Sequence, residues 1–402
     1  MSKLKLNLMS PFIMSALLVV SGAACSAASD DIDQEYNVGA GGTLTIESDS
    51  GRIEVNTWDQ NRVRLRIRNT EGFEVDIAQS GDNVRVLAES ERRGLFGFRR
   101  SSISFVADVP DSYNLNLNTG GGAIQVANIN GSIDADTSGG SIEVGDVTGG
   151  NVRADTSGGR IEIGDVDGSV EADTSGGSIT IGDVTGEVSA DTSGGNINIG
   201  NVDGDLTADT SGGNITVGES GGRVELDTSG GTIRAAWALG PIVADTSGGN
   251  IILEGSNTSV RADTSGGNIT VERSNGPVDA DTSGGSITIR QAVGPIRADT
   301  AGGRIDAELA SASGSRDATV ELETAGGDVT IRIPSNHNAS VSANLEVTRR
   351  SRGDYRIYTD FPLSIQESDN GNIVGSGDIN GGGDRIYLET TNSDIHIVSV
   401  DN

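Results

Sequence analysis

Asp-Thr-Ser-Gly-Gly starts at Asp136, Asp155, Asp173, Asp191, Asp209, Asp227, Asp245, Asp263 and Asp281, and Asp-Thr-Ala-Gly-Gly starts at Asp299. The first step is 19 residues and each of the next eight is 18. A period this short constrains the fold before any single residue does. One unit cannot bury an apolar face alone, so consecutive units must stack on one another.

Inside one unit, Ser178 to Gly195, Ile179 and Ile181 alternate with Ser178 and Thr180, and Val188 and Ala190 alternate with Glu187, Ser189 and Asp191. This period of two marks two short strands. The segments Gly182 to Gly186 and Ser193 to Gly195 are the corners between them. The expected fold is all-β: a single parallel β-solenoid (β-helix) with about 18 residues per coil and degenerate capping coils. Each strand is expected to pair with its equivalent one turn later. The registers start at Asn118, run through the ten Asp copies and resume at Glu323. Twelve coils at about 4.8 Å per strand give a rod about 60 Å long. The step from Asp299 to Glu323 is 24 residues, which predicts a loop near Ser311 to Arg316.

Ile161, Ile163, Val166, Val170, Ala172 and Thr174 are the expected inward ladders, with Thr bonding to Thr in the coils above and below. The ends are less regular. Segment 38–117 reads as degenerate N-terminal coils, 118–333 as the regular array and 334–402 as closing coils. Such caps are needed because exposed edge strands recruit other chains.

The formal charge of -30, with 59 Gly and 3% aromatic residues, disfavours a thick core and a nucleic-acid partner, which needs a basic face. Residues 1–28 read as a secretory signal peptide: Lys3 and Lys5, an apolar run from Leu6 to Val20, then small residues, with cleavage after Ala24 or Ala28. Cys25 is the single cysteine. It follows Gly22-Ala23-Ala24, similar to a lipobox with Gly in place of a Leu-like residue, which makes Cys25 the candidate lipidation site and membrane attachment. The expected location is the cell envelope, periplasm or outer membrane, and the expected state a monomer.

Asp-Thr-Ser-Gly is also the language of aspartic-protease turns. Catalysis needs different groups converging at one place, and ten near-copies of a corner offer none. The ladder raises a physical question instead, since like charges one strand spacing apart are destabilising. Two compensations are open. Each carboxylate could accept N–H groups from its own Thr-Ser-Gly-Gly corner as an Asx-turn, or Ca²⁺ could bridge adjacent turns. Turn chemistry favours the first, so no cofactor is expected. The calcium-binding β-roll has a similar period, but it carries Gly-Gly-x-Gly-x-Asp twice per turn. Here Gly-Gly recurs regularly only once, and the second-corner acids Asp146, Asp165 and Asp183 give way to Asn201 and Glu219.

Breaks in the pattern supply the remaining candidates. Trp237, in Arg-Ala-Ala-Trp-Ala-Leu-Gly, either packs over a coil corner or forms an exposed binding spot. Arg92, Arg93, Arg99 and Arg100 surround Phe96 and Phe98, a candidate interaction loop for anionic lipid or an acidic partner. Arg352-Gly353-Asp354 spells an integrin tripeptide and is read as accidental. His337 and His396 lack metal-ligand spacing.

Gly-Gly-x-Leu-x-Ile near Gly41, Val55-Asn-Thr-Trp-Asp59, the repeated Thr-Ser-Gly-Gly-x-Ile-x-Ile, Asp360-Phe-Pro-Leu363 and the closing Asp394-Ile-x-Ile together resemble the bacterial "putative adhesin" family, first catalogued as a domain of unknown function. The resemblance implies an exported, non-catalytic envelope β-solenoid, right-handed in type, acting as an adhesin, a scaffold or a binding surface. The rival readings are a calcium-dependent binding rod using the Asp ladder and, more weakly, a polysaccharide-active β-helix enzyme.

Overall fold

The structure is a computed structural model that describes residues 31–91, 103–310, 318–348, 351, 353–368 and 371–401. All regular structure among them is β. The alternation read from the repeat is realised directly. Ile179–Ile181 pairs in parallel with Ile161–Ile163 and with Ile197–Ile199, residue for residue. Val188–Thr192 pairs in the same way with Val170–Thr174 and Leu206–Thr210. Ile161, Ile163, Val166, Val170, Ala172 and Thr174 are all buried, so one continuous apolar core runs along the axis.

The first corner depends on glycine. A Cβ on Gly177 would run into the backbone of Gly159 in the coil below, whereas one on the preceding Gly176 would make only ordinary contact, 3.8 Å from Gly158 O. Coil-on-coil contact at the Ser-Gly-Gly turn is therefore backbone on backbone.

The second corner is more than a turn. Val147, Val166, Val184, Val202 and Ser220 form a third line of parallel bridges up the rod. Coils in this half consequently have three walls. From Ile233 onward the first strand lengthens to six residues, as in Ile233–Ala238, Ile251–Ser256 and Ile269–Ser274. The kink disappears there, and the cross-section becomes two opposed sheets.

Stacking is sequential only in the middle. The coil made of Thr43–Ser48 and Arg52–Trp58 lies between Asn83–Ser90 with Ser104–Pro110 on one side and Asn114–Thr119 with Ile124–Val126 on the other. The last coil, Asp384–Thr391 and Ile395–Val400, is likewise inserted between Val320–Thr324 with Val329–Pro334 and Ala339–Glu346 with Ile357–Thr359. Simple succession, as expected from the repeat, fails at both ends. A coil left at the end of the stack would offer a free parallel edge. Antiparallel strands cover the outermost coils instead: Phe73–Ser80 on Asn83–Ser90 and Arg62–Arg68 on Ser104–Pro110 at one end, and Ile373–Ile379 on Ala339–Glu346 at the other. Ile32–Asn37 then pairs with Arg62–Arg68 as the outermost strand of the N-terminal end.

The twelve registers from Asn118 to Glu323 stack as expected, and with the inserted and end coils included the parallel stack is sixteen strands deep. That depth corresponds to about 70 Å of rod.

Candidate functional site

The aspartate ladder is continuous. Asp136 pairs with Asp155, Asp155 with Asp173, and so on to Asp281 with Asp299, after which Glu323 and Glu389 extend the row. Each Asp lies on the outer side of the strand and the following Thr on the inner side, as the pleat requires. Alternate members, Asp136, Asp173, Asp209, Asp245 and Asp281, have their carboxyl groups pushed above the ordinary range, first by partial burial and then by the charge of the next rung. Arg261 relieves one rung through Nε to Asp263 Oδ2 at 2.8 Å. Near Asp245 and Asp263 the row borders a shallow depression of 300 Å³ that also takes in Ser247 and Ser265.

The expected Asx-turn is not how the corner is held. Thr174 Oγ1 donates to Gly159 O of the coil below at 2.8 Å and accepts the Gly177 N–H at 3.3 Å. The same pair of bonds recurs at Thr192, Thr210, Thr228 and onward to Thr324. Inward Thr therefore bonds to Gly backbone rather than to Thr, and the corner N–H assigned to Asp goes to Thr. The reason is geometric. Asp and Thr are adjacent residues, so they face opposite sides of the strand, and the corner glycines stack on the Thr side.

Acids at the second corner have a different task. Asp146 Oδ1 accepts the Asp165 N–H at 3.1 Å, Asp165 Oδ1 accepts that of Asp183 at 2.9 Å, and Asp183 Oδ1 accepts that of Asn201 at 2.7 Å. Each oxygen occupies the space where a Cβ on Gly164, Gly182 or Gly200 would stand. These side chains replace strand pairing at the kink and are committed to backbone. Among the described residues, no group of three or more His, Cys, Asp or Glu side chains is arranged to hold a metal ion.

A groove of 550 Å³ lies on the wall before this kink, with Gly145, Gly164 and Gly182 along it and Glu54, Glu143 and Glu162 beside it. Its lining is free of aromatic rings. Glu162 is engaged by Arg160 at 3.3 Å and Glu54 by Arg52 at 3.5 Å. Arg153 and Glu171 likewise pair across neighbouring coils, and so do Arg297 and Glu321 at 3.2 Å. Among the described residues the outward face carries a series of such pairs.

Trp237 sits where the earlier coils carry the kink acid. It is half-buried, its ring lies against Gly255 of the next coil, and the Arg273 guanidinium stacks on it at 5.0 Å. Leu239 beside it is 57% exposed. Trp58 is structural in the same sense, because its indole N–H donates to Arg62 O at 2.8 Å. His396 stacks on Tyr358 at 4.9 Å, and His337 lies elsewhere, near Asp384. The expected signal segment with Cys25, the expected interaction loop of Arg92, Arg93, Phe96, Phe98, Arg99 and Arg100, the expected loop near Ser311 to Arg316, and Arg352 lie outside the described residues.

Residues 37–229 match the family model described as Toastrack DUF4097. No curated protein matches the chain. Solved structures that resemble it include a "putative cell adhesion protein" from Clostridium sporogenes, at 6% identity over 93% of this chain and 100% of that one, with a TM-score of 0.17. A "putative adhesin" from Parabacteroides distasonis has 11% identity over 73% of this chain and 97% of that one, with a TM-score of 0.23. A "putative lipid binding protein" from the same organism has 14% identity over 73% and 98%, with a TM-score of 0.20. Likeness of this degree carries nothing about activity.

Proposed function

We propose, from the match of residues 37–229 to the Toastrack DUF4097 family model, that the chain is a non-catalytic, exported rod of the cell envelope that holds an adhesin-like end cap away from its point of attachment. One observation carries the reading: the two ends differ while the middle repeats. Ile32–Asn37, which follows the signal segment, is the outermost strand of one end. Tyr358, Ile365 and Val374, three of the four exposed large hydrophobic residues among those described, belong to the opposite end. Between them the kink acids accept backbone N–H groups, several outward Glu pair with Arg, and the aspartate row repeats one group at every coil. On this reading Cys25 is the lipid anchor and the array is a spacer.

The test uses the full chain carrying an epitope in the 380–383 turn. The envelope fraction should hold the protein, a fatty-acid probe should label it, and Cys25→Ser should abolish that label. Deleting Ser178 to Gly195, one coil, should leave folding and export intact and shorten the particle by about 4.8 Å in small-angle scattering. A cytosolic protein, or loss of folding on removing that coil, would sink the proposal.

A further inference from the structure

Asn-Gly occurs four times in the chain, at Asn130, Asn275, Asn370 and Asn380. Asparagine is chemically labile, and glycine after it puts no side chain in the way when the glycine nitrogen attacks the carboxamide. Such a pair therefore closes to a succinimide more readily than other asparagine dipeptides. In a folded protein two local conditions govern the closure. The attacking N–H must be free, and the ring must have room.

The structure separates the pairs on both counts. Gly131 N–H donates to Thr148 O at 2.9 Å, and Gly276 N–H donates to Ser274 Oγ at 3.3 Å. Both glycines are also pressed against the neighbouring coil, where a Cβ would run into Tyr113 O and Thr258 O respectively. Gly371 N–H is held by Ser368 O at 2.8 Å, and Asn370 lies outside the described residues. Gly381 differs. Its N–H has no acceptor among the described residues, nothing stands within 4 Å of a Cβ built on it, and both it and Asn380 are exposed.

The same asparagine fastens the inserted C-terminal coil. Asn380 has a left-handed φ of +50 and opens the turn between Ile373–Ile379 and Asp384–Thr391. Its Nδ2 donates to Ser335 O at 3.0 Å and to His337 O at 2.7 Å. Those bonds tie the turn that leads into the inserted strand to the turn after Val329–Pro334. Ser335 N–H continues the tie to Val400 O, the last residue of the inserted coil's second strand, at 3.0 Å. Both partners of Nδ2 are carbonyl oxygens, so an amide satisfies them and a carboxylate, which has no hydrogen to give, does not.

We propose that Asn380 is a self-modifying site whose deamidation releases the inserted C-terminal coil from its fastening, slowly and in one direction. The Gly381 nitrogen attacks Asn380 Cγ. The new N–Cγ bond forms as the Cγ–Nδ2 bond breaks, and the Gly381 amide proton leaves with Nδ2 as ammonia. Water then opens the ring at either carbonyl, adding its hydroxyl there and returning a proton to the ring nitrogen, to give aspartate or isoaspartate. Water is the sole co-reactant, and nothing is oxidised or reduced. While the coil is seated, the two Nδ2 bonds restrain the carboxamide and keep the reaction slow. After conversion they cannot re-form, and isoaspartate also adds a methylene to the backbone of the turn.

Incubation of the untagged full chain in mildly alkaline heavy-oxygen water, followed by peptide mass spectrometry, tests this. Heavy oxygen marks each amide that became an acid during the incubation. Asn380 should convert first, at least about tenfold faster than Asn130 and Asn275, whose coils must open before the ring can close. In urea the pairs should convert at similar rates, because the ranking comes from the fold. Converted protein, separated by anion exchange, should show about tenfold lower hydrogen-exchange protection at Ile386 to Thr390, the scale of one or two lost hydrogen bonds. Protection at Val170 to Thr174 should be unchanged. Asn380→Asp should show the loss from the outset, and the aged wild-type chain carries the test independently of that variant. Conversion of Asn130 or Asn275 ahead of Asn380, or converted protein with undiminished protection at Ile386 to Thr390, overturns the proposal.

Discussion

The guanidinium of Arg273 lies 5.0 Å from the ring centroid of Trp237, and Gly255 is paired between the two strands that carry them. Gly255 has φ of +128, and a Cβ there would meet the Arg273 carbonyl and the Trp237 ring. The indole fills the space that a side chain at 255 would need. Gly255→Ala should therefore cost about 1–3 kcal/mol of unfolding free energy, the range for a strained backbone position. Arg273→Ala should cost about 0.5–1 kcal/mol, as for a partly exposed cation–π contact. Equilibrium urea denaturation separates the two, and equal costs would contradict this account.

Thr192 is buried, and its hydroxyl both donates to Gly177 O at 2.9 Å and accepts the Gly195 N–H at 3.3 Å. Thr192→Val keeps the shape and removes both bonds. It should destabilise by about 1–3 kcal/mol, whereas Thr192→Ser should lose less because it keeps the hydroxyl. Asp191→Asn next to it should not reproduce the Thr192→Val loss, because the corner N–H is held by Thr. The same denaturation series decides this.

The aspartate row should make the rod more stable in acid. Folding raises the carboxyl pKa of Asp173 and Asp209 above the unfolded value through burial and the neighbouring rungs. Their stabilising contribution is present below the unfolded value and is lost as pH rises through the folded one. Melting temperature should climb as pH falls from neutral toward the carboxylate range. Asp173→Asn and Asp209→Asn should each stabilise at pH 7 by about 0.2–1 kcal/mol, the scale of a like-charge cross-strand pair, and flatten the pH curve. Destabilisation of both variants at neutral pH would refute the repulsive ladder.

Calcium should act on this row only as a screening ion. Among the described residues no group of three or more acids, the row included, is arranged to hold a metal ion. Millimolar Ca²⁺ should shift the melting temperature no more than NaCl of equal ionic strength, and a chelator should leave it unchanged. A saturable Ca²⁺-specific rise would restore the cation-bridged reading.

Much of the coil was legible because its period is strict. Ile179, Ile181, Val188 and Ala190 face inward as alternation requires, and Gly177 stands where coils touch. What alternation could not supply was the destination of each polar atom. Asp173 and Thr174 are both ordinary turn residues, and only the stacking of Gly159 under Gly177 shows which oxygen is in reach. The order of the end coils was hidden for another reason. Leu44 and Ile46 pair with Val84 and Val86 on one side and Leu115 and Leu117 on the other, and nothing local to Leu44 distinguishes those partners from a following coil. Trp237 announced itself as an exception, and the structure gives the exception a physical form: it stands where three-walled coils give way to two-sheeted ones.

Because Asp384–Thr391 lies inside the stack, length and closure are written in separate parts of the chain. Duplication or loss of an interior coil changes reach and leaves both lids untouched, so the lineage can vary the span of the molecule one coil at a time. Trimming the terminus does the opposite: it withdraws a layer from the interior and leaves a gap beneath an intact lid. In this protein the tail is less dispensable than the middle.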